Sequence, residues 1–95
     1  IRSVSITEAK AELDSLDKPV LLDVRTAAEF AGGHIEGAEL NDFYAEDFAA
    51  QLKKYDKNKK YLVYCASGGR SSETLLKMKK MNKYTKSNTS SFLKL

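Results

Sequence analysis

Two short apolar runs constrain the fold of this 95-residue chain more than any other feature of its sequence. They cover residues 20–24 and 61–64 and consist almost entirely of aliphatic, β-branched or aromatic side chains. Runs of this length are typical of strands that are buried on both faces of a sheet. Segments with helical spacing of apolar residues lie between them, and strands that alternate with helices form parallel sheets. The sequence therefore predicts an α/β fold with a central parallel sheet flanked by helices.

The other predicted elements follow the same alternation. Thr7 is a candidate N-cap for a first helix, which Pro19 ends before the first apolar run. The apolar face of that helix would carry Ala9, Leu13 and Leu16. Further helices are predicted at residues 26–30, 44–52 and 71–81, and a short strand is predicted at residues 38–40.

The single cysteine, Cys65, directly follows the second apolar run and opens a glycine-rich loop that leads into a helix. Backbone N–H groups of a tight loop and of a helix N-terminus are unpaired and carry partial positive charge. Such groups stabilise a nearby thiol as the thiolate, which is the nucleophilic form of cysteine. We therefore predict that Cys65 is a catalytic nucleophile. The loop that would bind a substrate or an anion beside it consists of Ala66, Ser67, Gly68, Gly69 and Arg70.

The residues of this loop have different predicted roles. Ser67, Gly68 and Gly69 would contribute mainly their backbone N–H groups to a bound anion. Arg70 is predicted to clamp an anionic substrate, with the capping of local carbonyl groups as the alternative. Ser71 is a candidate N-cap of the helix that follows the loop.

Polar residues also follow the first apolar run. Asp23 and Arg25 lie at its end, just as Cys65 lies at the end of the second run. In parallel sheets, ligands bind at the carboxyl ends of the strands. We therefore expect these two sets of polar groups to lie at the same edge of the sheet.

The net charge of +3 is distributed unevenly along the chain. Residues 1–52 contain 4 Lys or Arg and 11 Asp or Glu, a net charge of −7. Residues 53–95 contain 12 Lys or Arg and 2 Asp or Glu, a net charge of +10. Because Cys65 belongs to the basic half, we expect a field that favours an anionic substrate. The alternative is that the lysines only cover the solvent-exposed faces of helices.

Composition excludes several classes of site and partner. The lysines lack interleaved arginines and a recognisable binding motif, so we expect no nucleic-acid partner. No apolar run approaches the roughly 20 residues that span a bilayer, so we expect no membrane partner. Cys65 and His34, the only cysteine and histidine, cannot build a zinc site or an internal disulfide. We expect no metal and a cytoplasmic location, although a free thiol also allows a periplasmic one.

Three segments, taken in their order along the chain, resemble one known family. The first is Val-Leu-Leu-Asp-Val-Arg at residues 20–25, followed by Glu29 and Phe30. The second is Phe-Ala-Gly-Gly-His-Ile-Glu-Gly-Ala at residues 30–38, and the third is Tyr-Cys-Ala-Ser-Gly-Gly-Arg-Ser at residues 64–71. Each segment alone is weak, but the ordered set resembles a single domain of the rhodanese family of sulfurtransferases.

The resemblance implies a three-layer rhodanese-like fold and a sulfur-transfer reaction. Cys65 would accept a sulfane sulfur as a persulfide, with no metal or organic cofactor. The donor would be a small sulfur-containing anion, and the acceptor a thiol or cyanide, including a thiol on a thioredoxin-like or sulfur-carrier protein. Asp23, Arg25 and Glu29 would connect neighbouring loops, and His34 would make a loop-organising hydrogen bond. We expect a monomer.

The length of the cysteine loop separates two reactions on related folds. Cysteine-dependent phosphatases, including those with this fold, have five residues between cysteine and arginine. Here Arg70 comes one position earlier, and Ser71 occupies the sixth position after Cys65. The six-residue loop resembles the sulfurtransferase version and argues against a phosphatase. A catalytically idle interaction or regulatory module is the other alternative, and the intact Cys65 argues against it.

The C-terminal end departs from the family pattern. Members usually continue with another strand, often followed by Gly-Gly, and with a closing helix, whereas residues 82–95 are rich in Lys, Ser, Thr and Asn. We therefore expect a rhodanese-like domain over residues 1–83 and a divergent or flexible tail over residues 84–95. The last strand of the sheet would be atypical or missing. The alternative hypothesis is that residues 91–95 supply a substitute strand.

Overall fold

Strands and helices alternate along the chain in the computed structural model, which describes residues 2–56, 58–81 and 91–94. The N-terminal half contains β1 (Arg2–Val4), α1 (Ile6–Leu13), β2 (Val20–Asp23), α2 (Ala27–Ala31) and β3 (Glu39–Leu40). The C-terminal half contains α3 (Phe48–Leu52), β4 (Tyr61–Cys65), α4 (Gly69–Lys80) and β5 (Ser91–Lys94). No helix within these described ranges is both long enough and apolar enough to span a membrane.

The five strands form one sheet in the order β1-β5-β4-β2-β3, and every neighbouring pair is parallel. The two apolar runs are its inner strands β2 and β4, paired from Val20 with Tyr61 to Asp23 with Tyr64. Their carboxyl ends therefore lie side by side. The predicted α/β fold with a central parallel sheet and flanking helices is confirmed.

Strand β5 lies inside the segment that we expected to be a tail. It pairs with β4 on one side and with β1 on the other, so the last strand is present and not missing. Phe92 and Leu93 point to opposite faces of the sheet, and each packs in one of the two core clusters. The hypothesis of a substitute strand is confirmed for residues 91–94. Residues 84–90 and 95 lie outside the described residues.

Strand β1 was not predicted from the sequence. It is an edge strand of three residues, and Val4 is its one buried side chain among those described. Its partner in the sheet is β5. Because β1 is a strand only through that pairing, no local pattern of apolar residues predicted it.

Two core clusters, one on each face, give the sheet its three layers. On one face the buried side chains come from β2, β4, α3 and α4 and the residue that follows β2: they are Leu22, Val24, Phe48, Leu52, Tyr61, Val63, Cys65, Leu75 and Met78. On the other face they come from β1, α1, β2, β4 and β5: they are Val4, Ala9, Leu21, Leu62, Tyr64 and Leu93. Cys65 therefore faces the side of the sheet that α4 covers.

Helix α1 begins two residues earlier than predicted. Ser5, not Thr7, is its N-cap: the Ser5 hydroxyl accepts a hydrogen bond from the Glu8 N–H at 3.2 Å. The Glu8 carboxylate in turn accepts one from the Ser5 N–H at 3.0 Å, which completes a capping box. The helix ends at Leu13, so Leu16 lies beyond it and is fully exposed, contrary to the prediction.

Candidate active site

The Cys65 sulfur lies between the end of β4 and the first turn of α4. The Cys65 side chain is fully buried. Gly68 precedes the helix with φ +88°, a left-handed conformation that side chains rarely adopt. This turn directs the Gly68 N–H at the Cys65 Sγ atom at 3.0 Å, and the Ser71 N–H donates to the same atom at 3.4 Å. The loop therefore places backbone donors around the sulfur.

The Ser71 hydroxyl is a third polar group at the sulfur. Its Oγ atom lies 3.4 Å from the Cys65 Sγ atom and 3.1 Å from the carbonyl oxygen of Gly68, to which it donates. Ser71 is fully buried. Ser71 was predicted to be the N-cap, but the N-cap position is Gly68, three residues earlier. The Ser71 hydroxyl instead contacts the Cys65 sulfur and the carbonyl oxygen of Gly68.

These contacts set the pKa of the Cys65 thiol. Burial raises the pKa, since it disfavours the charged thiolate. The hydrogen bond between the Ser71 hydroxyl and the sulfur, and the hydrogen bonds from the backbone N–H groups of Ser71, Gly68 and Ser67, act in the opposite direction. The hydrogen bonds outweigh burial, and the pKa of Cys65 lies below its ordinary value. This is the environment of a reactive thiolate.

Arg70 closes the loop, and its guanidinium binds Glu29 of α2. The Arg70 Nη1 atom lies 2.9 Å from Glu29 Oε1, and Nη2 lies 3.3 Å from Oε2. The guanidinium also lies over the ring of Tyr44, 5.8 Å from its centre. Arg70 therefore links the loop to α2. Its predicted role as a clamp for an anionic donor stays a prediction.

Glu29 has two sets of hydrogen-bond donors. Besides Arg70, the N–H and the hydroxyl of Thr26 donate to Glu29 Oε1 at 3.0 and 3.1 Å, as part of the capping box of α2. The bond from Arg70 and then the bond from the Thr26 N–H lower the pKa of Glu29 from 4.5 to about 2. Glu29 is thus a fixed carboxylate beside the cysteine loop.

Asp23 and Arg25 form a separate ion pair at the end of β2. Asp23 is fully buried, and the Arg25 Nη2 and Nε atoms lie 2.9 and 3.1 Å from its Oδ2 atom. Arg25 Nη2 also donates to the carbonyl oxygen of Gly33 at 2.7 Å. The pair thus connects the end of β2 to the turn after α2. Glu29, which we grouped with this pair, binds Arg70 instead.

His34 lies in the same turn, and within the described part of the chain it contacts Phe30 and not Cys65. Its Nδ1 atom lies 2.9 Å from the carbonyl oxygen of Phe30, and the two rings stack with their centres 3.6 Å apart. These contacts make His34 part of the structure of the turn, and neither of them involves the Cys65 sulfur.

Two tyrosines contribute to the site in ways that the sequence analysis did not identify. The Tyr64 hydroxyl accepts a hydrogen bond from the Ile35 N–H at 3.1 Å, and the Arg25 guanidinium lies 5.5 Å from the centre of its ring. The ring of Tyr44 contacts the guanidinium of Arg70, as described above. Both contacts join residues far apart in the sequence, so no local motif could have predicted them.

The lysines of α4 lie away from the sulfur. Lys77, Lys79 and Lys80 occupy the last turn of the helix, whereas the cysteine loop precedes its first turn. A helix rises about 1.5 Å per residue, so Lys77 lies about 12 Å along the axis from Gly69. That distance exceeds the Debye length of about 8 Å at physiological ionic strength. These three lysines therefore contribute little to the potential at Cys65, and the field expected from the basic half as a whole stays a prediction.

Among the described residues, no three His, Cys, Asp or Glu side chains lie together as a set of metal ligands. The polar groups around Cys65 are hydrogen-bond donors, which suit an anion. The site thus combines a thiol of lowered pKa with a short loop of backbone hydrogen-bond donors.

Sequence comparison relates the chain to proteins with sulfurtransferase names. It is 33% identical over 78 residues to the "Probable adenylyltransferase/sulfurtransferase MoeZ" of Mycobacterium tuberculosis. This match covers 82% of the chain but only 20% of the relative, so the chain spans about a fifth of that protein's length.

Solved structures share the fold. A Staphylococcus saprophyticus protein, SSP1007, superposes with a TM-score of 0.76 at 26% identity, over 99% of this chain and 86% of that one. A rhodanese-like domain protein from Staphylococcus aureus has a TM-score of 0.66 at 28% identity, over 98% and 82% of the two chains. The human single-domain sulfurtransferase TSTD1 has a TM-score of 0.73 at 19% identity, over 97% and 87%, which shows the fold alone.

The match to a protein family covers most of the chain. The family described as "Rhodanese-like domain" matches residues 5–91, a range that runs from the N-cap of α1 to the first residue of β5. It includes the cysteine loop and both of the ion pairs described above. This chain belongs to the rhodanese-like domain family.

Proposed function

We propose that this protein is a sulfurtransferase that carries a sulfane sulfur as a persulfide on Cys65. The observation that carries the proposal is the set of donors at the sulfur, with the N–H groups of Gly68 and Ser71 at 3.0 and 3.4 Å. Donors in this arrangement stabilise a thiolate before the reaction and a terminal persulfide sulfur after it. The family and the sulfurtransferase name of the mycobacterial relative support the same reaction.

The first half of the reaction loads the sulfur. The Cys65 thiolate attacks the outer sulfur of thiosulfate or of a persulfide donor, and a new S–S bond forms. The old S–S bond breaks, and its electron pair leaves with sulfite or with the donor's thiolate. No external base is needed, because the low pKa of Cys65 supplies the thiolate.

The second half returns the enzyme to its starting state. A thiol acceptor, as its thiolate, attacks the outer sulfur of the Cys65 persulfide and becomes a persulfide itself. Cyanide reacts in the same way and leaves as thiocyanate. In both cases the bonding electrons return to Cys65, which is again a thiolate. We propose a small thiol or a thiol on a thioredoxin-like or sulfur-carrier protein as the natural acceptor, and a monomeric enzyme in the cytoplasm or periplasm.

The loop has to move for either half-reaction. Because the Cys65 side chain is fully buried, a donor cannot reach its sulfur without displacement of the loop. Ala66 and Ser67 form its exposed outer part.

Intact-protein mass spectrometry tests the proposal. After incubation with thiosulfate, or with a small-molecule persulfide in a second arm, we expect a mass gain of one sulfur atom. Because the chain has a single cysteine, the Cys65→Ser variant is the matched control and should gain nothing. Absence of an adduct with both donors, together with no thiocyanate from cyanide, would point to a catalytically idle module. Turnover of an aryl phosphate would point to a phosphatase.

A further inference from the structure

Arg70 in the cysteine loop and Arg25 at the end of β2 are both bound to carboxylates. Arg70 holds Glu29 through two contacts of 2.9 and 3.3 Å. Arg25 holds the buried Asp23 through contacts of 2.9 and 3.1 Å. Each guanidinium charge is thus compensated by an adjacent negative charge. The attraction for an anion at the sulfur then comes mainly from backbone N–H groups.

The Glu29 carboxylate is fixed in this position from two sides. Thr26 donates to its Oε1 atom from the backbone N–H and from the hydroxyl, at 3.0 and 3.1 Å. Arg70 is held in turn by the ring of Tyr44, 5.8 Å from its guanidinium. An incoming anion has to compete with a carboxylate that is already in place, and it gains little from Arg70 unless this pair breaks.

The two classes of sulfur donor differ in charge. Thiosulfate is a dianion, and it approaches a Cys65 thiolate in a loop whose Arg70 is already paired with the Glu29 carboxylate. An organic persulfide, R–S–SH, carries no charge when protonated and one negative charge when ionised. Repulsion between like charges in a partly buried site costs more than in bulk water, so it discriminates between these donors.

We propose that Glu29, by compensating Arg70, makes an organic persulfide the preferred donor of this enzyme over thiosulfate. The proposal rests on the sulfurtransferase function proposed above and specifies its donor. In the loading step the Cys65 thiolate attacks the terminal sulfur of R–S–SH, and the S–S bond of the donor breaks. R–S⁻ leaves with the bonding electron pair, and the proton stays on the transferred sulfur as Cys65–S–SH.

The ratio of kcat/KM for thiosulfate to kcat/KM for a small-molecule persulfide, such as that of glutathione, tests this role. Glu29→Gln keeps an oxygen that can accept from Thr26 but removes the charge that compensates Arg70. We expect this ratio to rise about two- to fivefold in the variant, the effect of one charge at a partly exposed, solvent-screened site. Glu73→Gln is the matched control, because Glu73 is an exposed carboxylate three residues after Arg70 in α4. It should leave the ratio unchanged.

Arg70→Gln is a second variant with the opposite expected outcome. It leaves Glu29 without its cation, so the ratio should fall about two- to fivefold below that of the parent. The proposed role of Glu29 is wrong if the kcat/KM ratio is the same in the parent, Glu29→Gln and Arg70→Gln. It is also wrong if the ratio shifts equally in Glu29→Gln and Glu73→Gln. Such results would leave the sulfurtransferase function standing, provided that the parent forms the persulfide. If the parent forms no persulfide with either donor, both proposals fall.

Discussion

Gly68 donates its N–H to the Cys65 sulfur at 3.0 Å while its own backbone holds a φ of +88°. The hydrogen bond and the left-handed turn depend on each other, because the turn is what directs the N–H at the sulfur. A residue with a Cβ atom loses roughly 1–2 kcal/mol in this conformation. The conformation of one residue thus affects both the stability of the loop and the state of the thiol.

Replacement of Gly68 tests this dependence. We expect Gly68→Ala to lower the free energy of unfolding by about 1–2 kcal/mol and to slow persulfide formation, since the N–H turns away from the sulfur. Chemical denaturation and mass spectrometry measure the two effects. Gly69→Ala is the stability control: its added Cβ atom would lie 3.7 Å from Ser67 Oγ, an ordinary contact, and α4 begins at this residue. A loss of stability as large in Gly69→Ala would contradict the argument.

The Ser71 hydroxyl is expected to control the ionisation of Cys65. Its hydrogen bond lowers the pKa of the thiol, so Ser71→Ala should raise that pKa. The rate of alkylation by iodoacetamide at neutral pH should then fall about three- to tenfold, because less thiolate is present. The pH dependence of thiolate absorbance measures the pKa directly.

Ser72→Ala is the control for this experiment. Ser72 donates its hydroxyl to the carbonyl oxygen of Gly69 at 3.1 Å and has no contact with the sulfur. Its alkylation profile should match that of the parent. A Ser71→Ala profile identical to both would show that the backbone donors alone hold the thiolate.

Glu29 is expected to contribute to stability in a pH-dependent way. Its pKa falls on folding from 4.5 to about 2, chiefly through Arg70, so the folded state favours the carboxylate. This contribution is fully present above the unfolded pKa and is lost as the pH falls from about 5 toward 2. The parent should therefore lose more stability over this range than Glu29→Gln, as measured by Tm at successive pH values. If Tm changes with pH identically in the two proteins, the ion pair between Glu29 and Arg70 does not cause the pH dependence of stability.

Strand β5 is expected to belong to the stable core. Leu93 is 3% exposed, so Leu93→Ala should lower the free energy of unfolding by about 2–4 kcal/mol. Leu16 is fully exposed and provides the same substitution as a control, which should cost less than about 0.5 kcal/mol. Amide hydrogen exchange should show protection in residues 91–94. Rapid exchange there, with equal effects of the two substitutions, would place this strand outside the core.

The parts of the fold that could be predicted are those with a local cause. The inner strands β2 and β4 are short apolar runs because both of their faces are buried. The capping box of α1 is also local, because Glu8 follows Ser5 by three residues. This spacing favours Ser5 over Thr7 as the N-cap. We overlooked that spacing, although it is present in the sequence.

Other parts depend on contacts between distant residues. Strand β1 is too short to be assigned alone and becomes a strand through its pairing with β5. Strand β5 follows a polar segment and was only an alternative hypothesis, and its pairing with both β1 and β4 makes it part of the sheet. The cysteine loop could be located from Cys65 and its glycines. The partner of Arg70 could not, since Glu29 is 41 positions away and was grouped with Asp23 and Arg25.

The position of β5 has a consequence for how the molecule is made. β1 and β5 are adjacent in the sheet, although Arg2 and Ser91 come from opposite ends of the chain. During synthesis β1 leaves the ribosome before β5, so it cannot form this pairing until β5 has also been made. A contact of such high sequence separation raises the contact order, which slows folding. We expect the N-terminal half to remain incompletely folded until translation has passed residue 94.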